Sequence, residues 1–186
     1  MQIEVVPATA DRWPDVETVM GVRGDPSRCW CQYFRLRGKA WSAATPDTNR
    51  DALCEQVSGN RIPPGVIGYD DGEPAGWCAT APRTSYPRVQ ASPHWRSDGD
   101  AWVVTCFVVR TGYRRRGLAG PLLEGAVELA AKHGATAVEG CAVDLADTGR
   151  ISSADLYRGP LSVFLDHGFT VVRRNAPAWV QVRRDL

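Results

Sequence analysis

A largely apolar segment followed by a basic, glycine-containing loop constrains the fold of this chain more than any other feature. The apolar segment runs from Ala101 to Val109, the loop contains Arg114-Arg115-Arg116-Gly117, and a helical pattern covers 118–132. An apolar run of this kind is typical of a strand that is buried on both faces of a sheet. The sequence therefore predicts a central strand, a loop and a helix in direct succession.

The loop meets the start of this helix, where backbone N–H groups have no intrahelical partner and the helix dipole is positive. Such a helix end is a natural site for anions. Gly117 has no Cβ where an anion would approach, and the three arginines add full positive charges. We interpret the loop as a binding site for a phosphate-bearing ligand. The alternative is an ordinary strand-to-helix turn with solvated arginines.

The residues of the loop exclude two common phosphate-binding motifs. There is no Gly-x-x-x-x-Gly-Lys-Ser/Thr sequence, and no Gly-x-Gly-x-x-Gly opens a parallel unit near the start of a domain. Instead, Arg114-x-x-Gly117-x-Ala119 resembles the Arg/Gln-x-x-Gly-x-Gly/Ala motif of the GNAT N-acetyltransferase superfamily. Further along, Phe164-Leu165-Asp166-His167-Gly168-Phe169 resembles the Tyr-x-x-x-Gly-Phe ending of the last helix in that family.

The predicted order of elements, β-α-α-β-β-β-α-β-α-β-β, agrees with this resemblance over nearly the whole chain. The predicted strands are 3–6, 66–69, 75–81, 101–109, 135–143, 169–173 and 179–183. The predicted helices are 9–20, 47–58, 118–132 and 160–167, and residues 82–100 are predicted as a long loop. The resemblance implies an α/β (α+β) fold, with a mixed, mostly antiparallel central sheet whose strands splay, flanked by helices. We expect residues 1–186 to form a single domain of this type.

Composition excludes several classes of function. The formal net charge is +1, so no overall field favours nucleic acid or an acidic membrane. No apolar run approaches the roughly 20 residues that span a bilayer, and the N-terminus is too short and too polar for a signal peptide. Cys29-Trp30-Cys31 has no second Cys/His pair at zinc-ligand spacing, so we expect no metal and free, buried cysteines. We expect a cytoplasmic protein, monomeric or homodimeric, that binds neither nucleic acid nor membranes.

The resemblance implies that acetyl-CoA is the cosubstrate and that its acetyl group passes directly to a primary amine of a small molecule or peptide. It assigns the pantetheine arm and the acetyl carbonyl to free backbone groups of the splayed strand at Phe107, Val108 and Val109. It assigns the pyrophosphate to the loop and the start of the helix, residues Arg114, Arg115, Arg116, Gly117, Leu118, Ala119 and Gly120.

The proton donor is where the chain departs from the family pattern. Phe164 occupies the position of the usual general-acid tyrosine and has no ionisable group. Tyr157, in the preceding loop, is one candidate, and water is the other. The competing function is therefore a non-catalytic domain that binds acyl-CoA and acts as a sensor or interaction module.

Glu139 and Cys141 are the candidates for a general base or a cysteine relay, because they share one face of the predicted strand 135–143. An equal alternative for Glu139 is a salt bridge to arginine or lysine, since a buried carboxylate needs a partner. The amine could also arrive deprotonated and need no base.

The acceptor pocket is expected beside the first pair of helices and the loops next to the splayed strands. Its candidate substrate-binding residues are Trp30, Tyr33, Arg35 and Tyr86. Further residues of the same regions are Phe34, Arg88, His94 and Trp95. Aromatic rings with an arginine would suit an apolar or aromatic amine that carries a carboxylate. The alternative for each ring is a place in the core.

Overall fold

The computed structural model describes residues 2–59, 61–93, 95, 100–146, 155–176 and 178–186. Within these residues the strands are β1 (Ile3–Pro7), β2 (Gly65–Asp70), β3 (Glu73–Pro82), β4 (Ala101–Val109), β5 (Ala137–Val143), β6 (Thr170–Ala176) and β7 (Trp179–Asp185). The helices are α1 (Trp13–Met20), α2 (Pro26–Cys29), α3 (Gly38–Ala43), α4 (Pro46–Gly59), α5 (Pro87–Gln90), α6 (Ala119–Lys132) and α7 (Leu161–Asp166). His94 lies outside the described residues.

The strands form one mixed sheet in the order β1-β2-β3-β4-β5-β7-β6. Every neighbouring pair is antiparallel except β4 and β5, which are parallel. Successive side chains of a strand point to opposite faces: Cys78 of β3 packs with α6, whereas Trp77 and Ala79 pack with α1 and α4. The sheet with helices on both faces confirms the predicted fold class.

Helix α6 lies close against the sheet because glycines occupy both surfaces of the contact, one on β3 and one on the helix itself. A Cβ at Gly76 would lie 2.8 Å from the Leu122 side chain, and a Cβ at Gly125 would lie 2.4 Å from Val5. Leu122 and Leu123 are completely buried, as the predicted helical periodicity requires. The close contact fixes the start of α6, and with it the end of the loop that precedes the helix.

The predicted loop 82–100 contains more structure than its sequence indicates. Its described part forms a 3₁₀ helix over Arg83–Ser85 and then α5. Tyr86 and Val89 have no exposed surface, and they pack with Phe34 and Val103. The segment is therefore held by two apolar side chains that reach the sheet, a long-range contact that local sequence pattern does not predict.

The two central strands separate halfway along their length. Pairs between β4 and β5 run from Ala101↔Ala137 to Val104↔Gly140, while β4 stays paired with β3 as far as Val109. The separation begins at a bulge, because Val104 and Cys106 pair with consecutive residues of β3 and leave Thr105 between them. The described sheet therefore has the splay that the family resemblance implies.

Replacing Phe164 by alanine should destabilise the protein strongly. Phe164 is completely buried and makes edge-to-face contacts with Phe107 and Phe169, with ring centroids 6.0 and 5.1 Å apart. We expect Phe164→Ala to lower the free energy of unfolding by about 3–5 kcal/mol in urea titrations. The control is Leu165→Ala on the same helix, where 46% of the side chain is exposed. Equal midpoints for the two variants would contradict the assignment of Phe164 to the core.

Candidate active site

The gap between β4 and β5 leaves one edge of β4 without a neighbouring strand. The Arg110 N–H donates to the Ala75 carbonyl of β3 at 3.0 Å. Alternate residues of an antiparallel strand bond to the same neighbour, so Val108 also faces β3, whereas Phe107 and Val109 direct their backbone groups into the gap. Of the three strand residues predicted to bind the pantetheine arm, two therefore have backbone groups that face the gap.

The loop between β4 and α6 has an open concave backbone. Arg115 and Gly117 adopt positive φ angles of 61° and 76°, and a Cβ at Gly117 would meet no atom within 4 Å. The first bond inside α6 runs from the Leu122 N–H to the Leu118 carbonyl at 3.0 Å. The N–H groups of Leu118, Ala119 and Gly120 precede it and have no intrahelical partner.

The loop arginines do not all face solvent freely. Arg116 forms a 3.1 Å ion pair with Asp70, a carboxylate at the end of β2 that is only 2% exposed. Arg110 and Arg116 also lie on the ring of Tyr113, each 5.1 Å from its centroid. These contacts hold the loop on the hairpin between β2 and β3. Arg114 and Arg115 are exposed, although Nε of Arg114 donates to the Val109 carbonyl at 3.2 Å, so Arg115 and the terminal nitrogens of Arg114 remain available to an anion.

A segment that precedes α7 bridges the separated strands. It begins with a 3₁₀ helix over Asp155–Arg158, and the carbonyl of Gly159 accepts a 2.9 Å bond from the Val143 N–H of β5. A Cβ at Gly159 would lie 2.9 Å from the Phe107 ring of β4. The segment therefore brings Tyr157 and Arg158 to the gap.

The family comparison agrees with this geometry. Residues 30–157 match the model of the acetyltransferase (GNAT) family, and they include the gap, the loop and Tyr157. The chain belongs to the GNAT family. No curated protein sequence matches it.

Several solved structures, described as a GNAT domain or as N-acetyltransferases, have this fold at low sequence identity. The GNAT domain of S. lividans PAT is 18% identical with a TM-score of 0.57, over 99% of this chain and 90% of that one. The PaiA N-acetyltransferase from Thermoplasma acidophilum, in complex with coenzyme A, is 10% identical with a TM-score of 0.53, over 100% of both chains. A mosquito arylalkylamine N-acetyltransferase, like 5b, is 14% identical with a TM-score of 0.57, over 100% of both chains. At these identities the similarity shows the fold.

Tyr157 lies at the gap in this GNAT fold, whereas Phe164 belongs to the core. The Tyr157 ring packs 6.3 Å from Phe34, and the Nε of Arg158 donates to its hydroxyl at 3.0 Å. Burial raises the pKa of Tyr157 above its ordinary value, and Arg158 acts in the opposite direction. Tyr157 is therefore protonated at neutral pH, beside a cation that stabilises its phenolate.

Glu139 forms the salt bridge that the sequence left open as an alternative. Its buried carboxylate accepts a 2.9 Å hydrogen bond from Nη1 of Arg183. It also lies opposite Val103, where β4 and β5 are still paired. A carboxylate engaged with arginine before the gap begins is a poor general base, so Glu139 is not part of the site that we propose.

Two thiols near the gap have pKa values shifted in opposite directions. Burial raises the pKa of Cys141, although Arg158 opposes the effect, so Cys141 is not a thiolate at neutral pH. A hydrogen bond from Cys106 lowers the pKa of Cys31, with burial opposing it. All six cysteines are free, and Cys31, Cys78 and Cys141 are buried. Among the described residues no cluster of His, Cys, Asp or Glu could hold a metal ion.

The predicted acceptor residues divide into core and rim. Trp30 is buried and donates from Nε1 to the Ser27 carbonyl at 2.8 Å. Tyr86 is completely buried under the guanidinium of Arg35, which lies 4.8 Å from its centroid. Tyr33 is partly exposed, and its ring carries the guanidinium of Arg88 at 4.0 Å. Tyr33 and Arg35 are the two that retain accessible surface.

Two further residues at the gap were not predicted from the sequence. The guanidinium of Arg158 lies 3.8 Å from the ring centroid of Trp179, at the start of β7. Arg158 follows the candidate Tyr157 directly in the sequence, but no local pattern connects Trp179 to either residue.

No helix among the described residues is long and apolar enough to cross a membrane.

Arg183→Met should destabilise the protein by leaving Glu139 buried without its cation. We expect a loss of about 3 kcal/mol in the free energy of unfolding at pH 7, measured by urea titration. Introducing Glu139→Gln into the Arg183→Met background should recover a large part of this loss, because the charge is removed. An equally unstable double variant would contradict the ion-pair assignment.

Proposed function

We propose that this GNAT protein is an acetyl-CoA-dependent N-acetyltransferase that moves an acetyl group directly to a primary amine of a small molecule or peptide. The observation that carries the proposal is the position of the gap. The free edge of β4 leads directly into a glycine loop whose N–H groups precede α6. The PaiA N-acetyltransferase of the same fold was solved with coenzyme A, which supports the same cosubstrate here.

In this proposal the loop binds the pyrophosphate through the N–H groups of residues 117–120, with Arg114 and Arg115 adding charge. Gly117 fits this role because the space in front of it is open. Gly120 has a packing role as well, since a Cβ there would lie 2.7 Å from the His167 ring. The backbone groups of Phe107 and the N–H of Val109 hold the pantetheine arm and polarise the acetyl carbonyl, while the Val109 carbonyl accepts a bond from Arg114.

The thioester supplies an activated acetyl group and a thiolate leaving group. Tyr157 donates the proton that this thiolate takes up, and the raised pKa keeps its phenol protonated over the working range. The amine attacks in its neutral form and releases its proton to solvent, so neither Glu139 nor Cys141 is required. We propose further that residues 1–186 act as one domain in the cytoplasm, as a monomer or homodimer.

One observation favours a second function, an acyl-CoA-binding domain without transfer activity. Phe164 fills the position of the usual family acid and is locked in the core by Phe107 and Phe169. Binding of acetyl-CoA with no transfer to any amine would support this sensor function.

Gly117→Glu should abolish binding of the cosubstrate. Acetyl-CoA or CoA at a hundred times its Kd stabilises the native state by about 2.7 kcal/mol, which raises Tm by several degrees for a chain of this size. A glutamate at position 117 would occupy the open space and repel phosphate, so we expect no shift in thermal denaturation for this variant.

The matched control is Gly134→Glu at the other end of α6. Gly134 has a φ of 78° and, like Gly117, no atom within 4 Å of its Cβ position. The two variants carry the same charge and the same backbone strain, so the ligand-induced shift should survive in Gly134→Glu. No shift in the wild type would overturn the proposed function.

Tyr157→Phe should lower kcat by about a hundredfold and leave the acetyl-CoA shift intact, because it removes only the proton donor. The wild-type rate should show no decline with pH below the ordinary phenol pKa of 10, since the pKa of Tyr157 is raised. Tyr69→Phe is the control; it removes a hydroxyl that donates to Asp15 at 2.7 Å on the opposite side of β3 from the gap. Equal turnover by wild type and Tyr157→Phe would exclude Tyr157 as the acid.

A further inference from the structure

Arg158 lies in an aromatic surrounding at the mouth of the gap. Its guanidinium carbon is 3.8 Å from the ring centroid of Trp179 and 5.3 Å from those of Phe34 and Tyr157. Trp179 is 36% exposed, whereas Phe34 is buried. The rings therefore remove part of the hydration of the guanidinium. The group stays open to solvent on the side of Trp179.

Among the described side chains, no carboxylate pairs with Arg158. Two arginines of the β6–β7 hairpin, by contrast, have acidic partners: Arg174 bonds Asp144 at 2.7 Å, and Arg183 bonds Glu139. Arg158 donates instead from Nε to a neutral phenol, and its guanidinium also lies beside the uncharged thiol of Cys141. Its two terminal nitrogens carry four more N–H donors in a plane that matches a carboxylate. A partly desolvated cation without a counter-charge favours an anionic ligand.

The position of Arg158 connects this anion preference to the reaction. Its segment contacts β5 through Gly159 and β4 through Phe107, on either side of the gap. The same guanidinium also holds the hydroxyl of Tyr157. An acceptor bound here by an anionic group would have its amine within reach of the gap.

Two other arginines fit this role less well. Arg88 also donates through Nε, at 2.7 Å, but to the Tyr33 carbonyl, which fastens α5. The Nε of Arg158 bonds the hydroxyl of the candidate acid Tyr157. Arg35 lines a cavity of about 250 Å³ together with Arg61, Pro64 and Pro82. Pro82 pairs with Trp102, in the part of β4 that is still bound to β5. That cavity therefore lies beside the paired half of the strands, away from the gap.

We propose that Arg158 binds the carboxylate of the acceptor, and that the acceptors are small primary amines of the amino-acid type. The inference rests on the proposed acetyltransferase function and specifies its substrate class. The carboxylate forms charge-assisted hydrogen bonds with the terminal nitrogens of Arg158, and the rings of Trp179 and Tyr33 contact the apolar part of the amine.

The test compares two amines that differ only in the carboxylate, L-phenylalanine and 2-phenylethylamine, with acetyl-CoA as donor. Charge-assisted hydrogen bonds predict a kcat/KM at least about tenfold higher for phenylalanine with the wild type. Arg158→Gln should remove this preference, mainly through a higher KM for phenylalanine, and Arg158→Lys should restore part of it. The ratio of the two amines cancels any common effect of Arg158 on Tyr157. Arg61→Gln, which removes an exposed charge elsewhere, should keep the preference.

A binding measurement keeps the test independent of turnover. 3-Phenylpropanoate, which has the carboxylate but no amine, should raise the Tm of the wild type and not that of Arg158→Gln. The CoA-induced shift of Arg158→Gln should persist, which shows that the variant is folded. Equal use of the two amines, a preference retained in Arg158→Gln, or no shift with 3-phenylpropanoate would overturn the role of Arg158. Failure of the acetyltransferase function itself would be distinct, because no amine of any class would then be acetylated.

Discussion

The hydrogen bonds between β4 and β5 stop at Val104 and Gly140, and the arrangement of the site depends on this interruption. Backbone groups without partners are costly inside a protein, so a gap in the middle of a sheet needs support on both sides. On one side β3 holds β4 in register to Val109. On the other, β7 holds β5 to Val143, and Gly159 occupies the free edge of Val143. The splay is thus enforced by neighbours that stay fully paired.

The elements that the sequence predicted well are those whose signal is local. The bounds of β4 match the predicted strand 101–109, and α6 begins one residue after the predicted start, because apolar periodicity marks both. Residues 21–46 and 82–93 were harder, since their short helices are held by distant contacts such as that of Tyr86 with the sheet. For the same reason the sequence did not indicate Trp179, whose ring contacts Arg158 across a separation of 21 residues in the chain.

The candidate site could be predicted in part for a related reason. Sequence resemblance identified the loop, because its glycine and arginines are contiguous and follow a strand. It could not decide between catalysis and ion pairing for Glu139, since the deciding partner, Arg183, is 44 residues away. It also could not show that Arg116 has a structural partner in Asp70. A sequence gives the number of charged residues in a loop. It does not show how many of them are paired within the protein and how many can bind a ligand.

The contacts of Arg116 and Tyr113 have a consequence for the thermodynamics of association. The ion pair with Asp70 and the two guanidinium groups on the Tyr113 ring order the loop as part of the folded protein. The conformational entropy of these residues is therefore lost during folding, and a ligand does not have to restrict them again. In the proposed complex with the cosubstrate, this preorganisation would make association depend on diffusion and charge rather than on rearrangement of the loop.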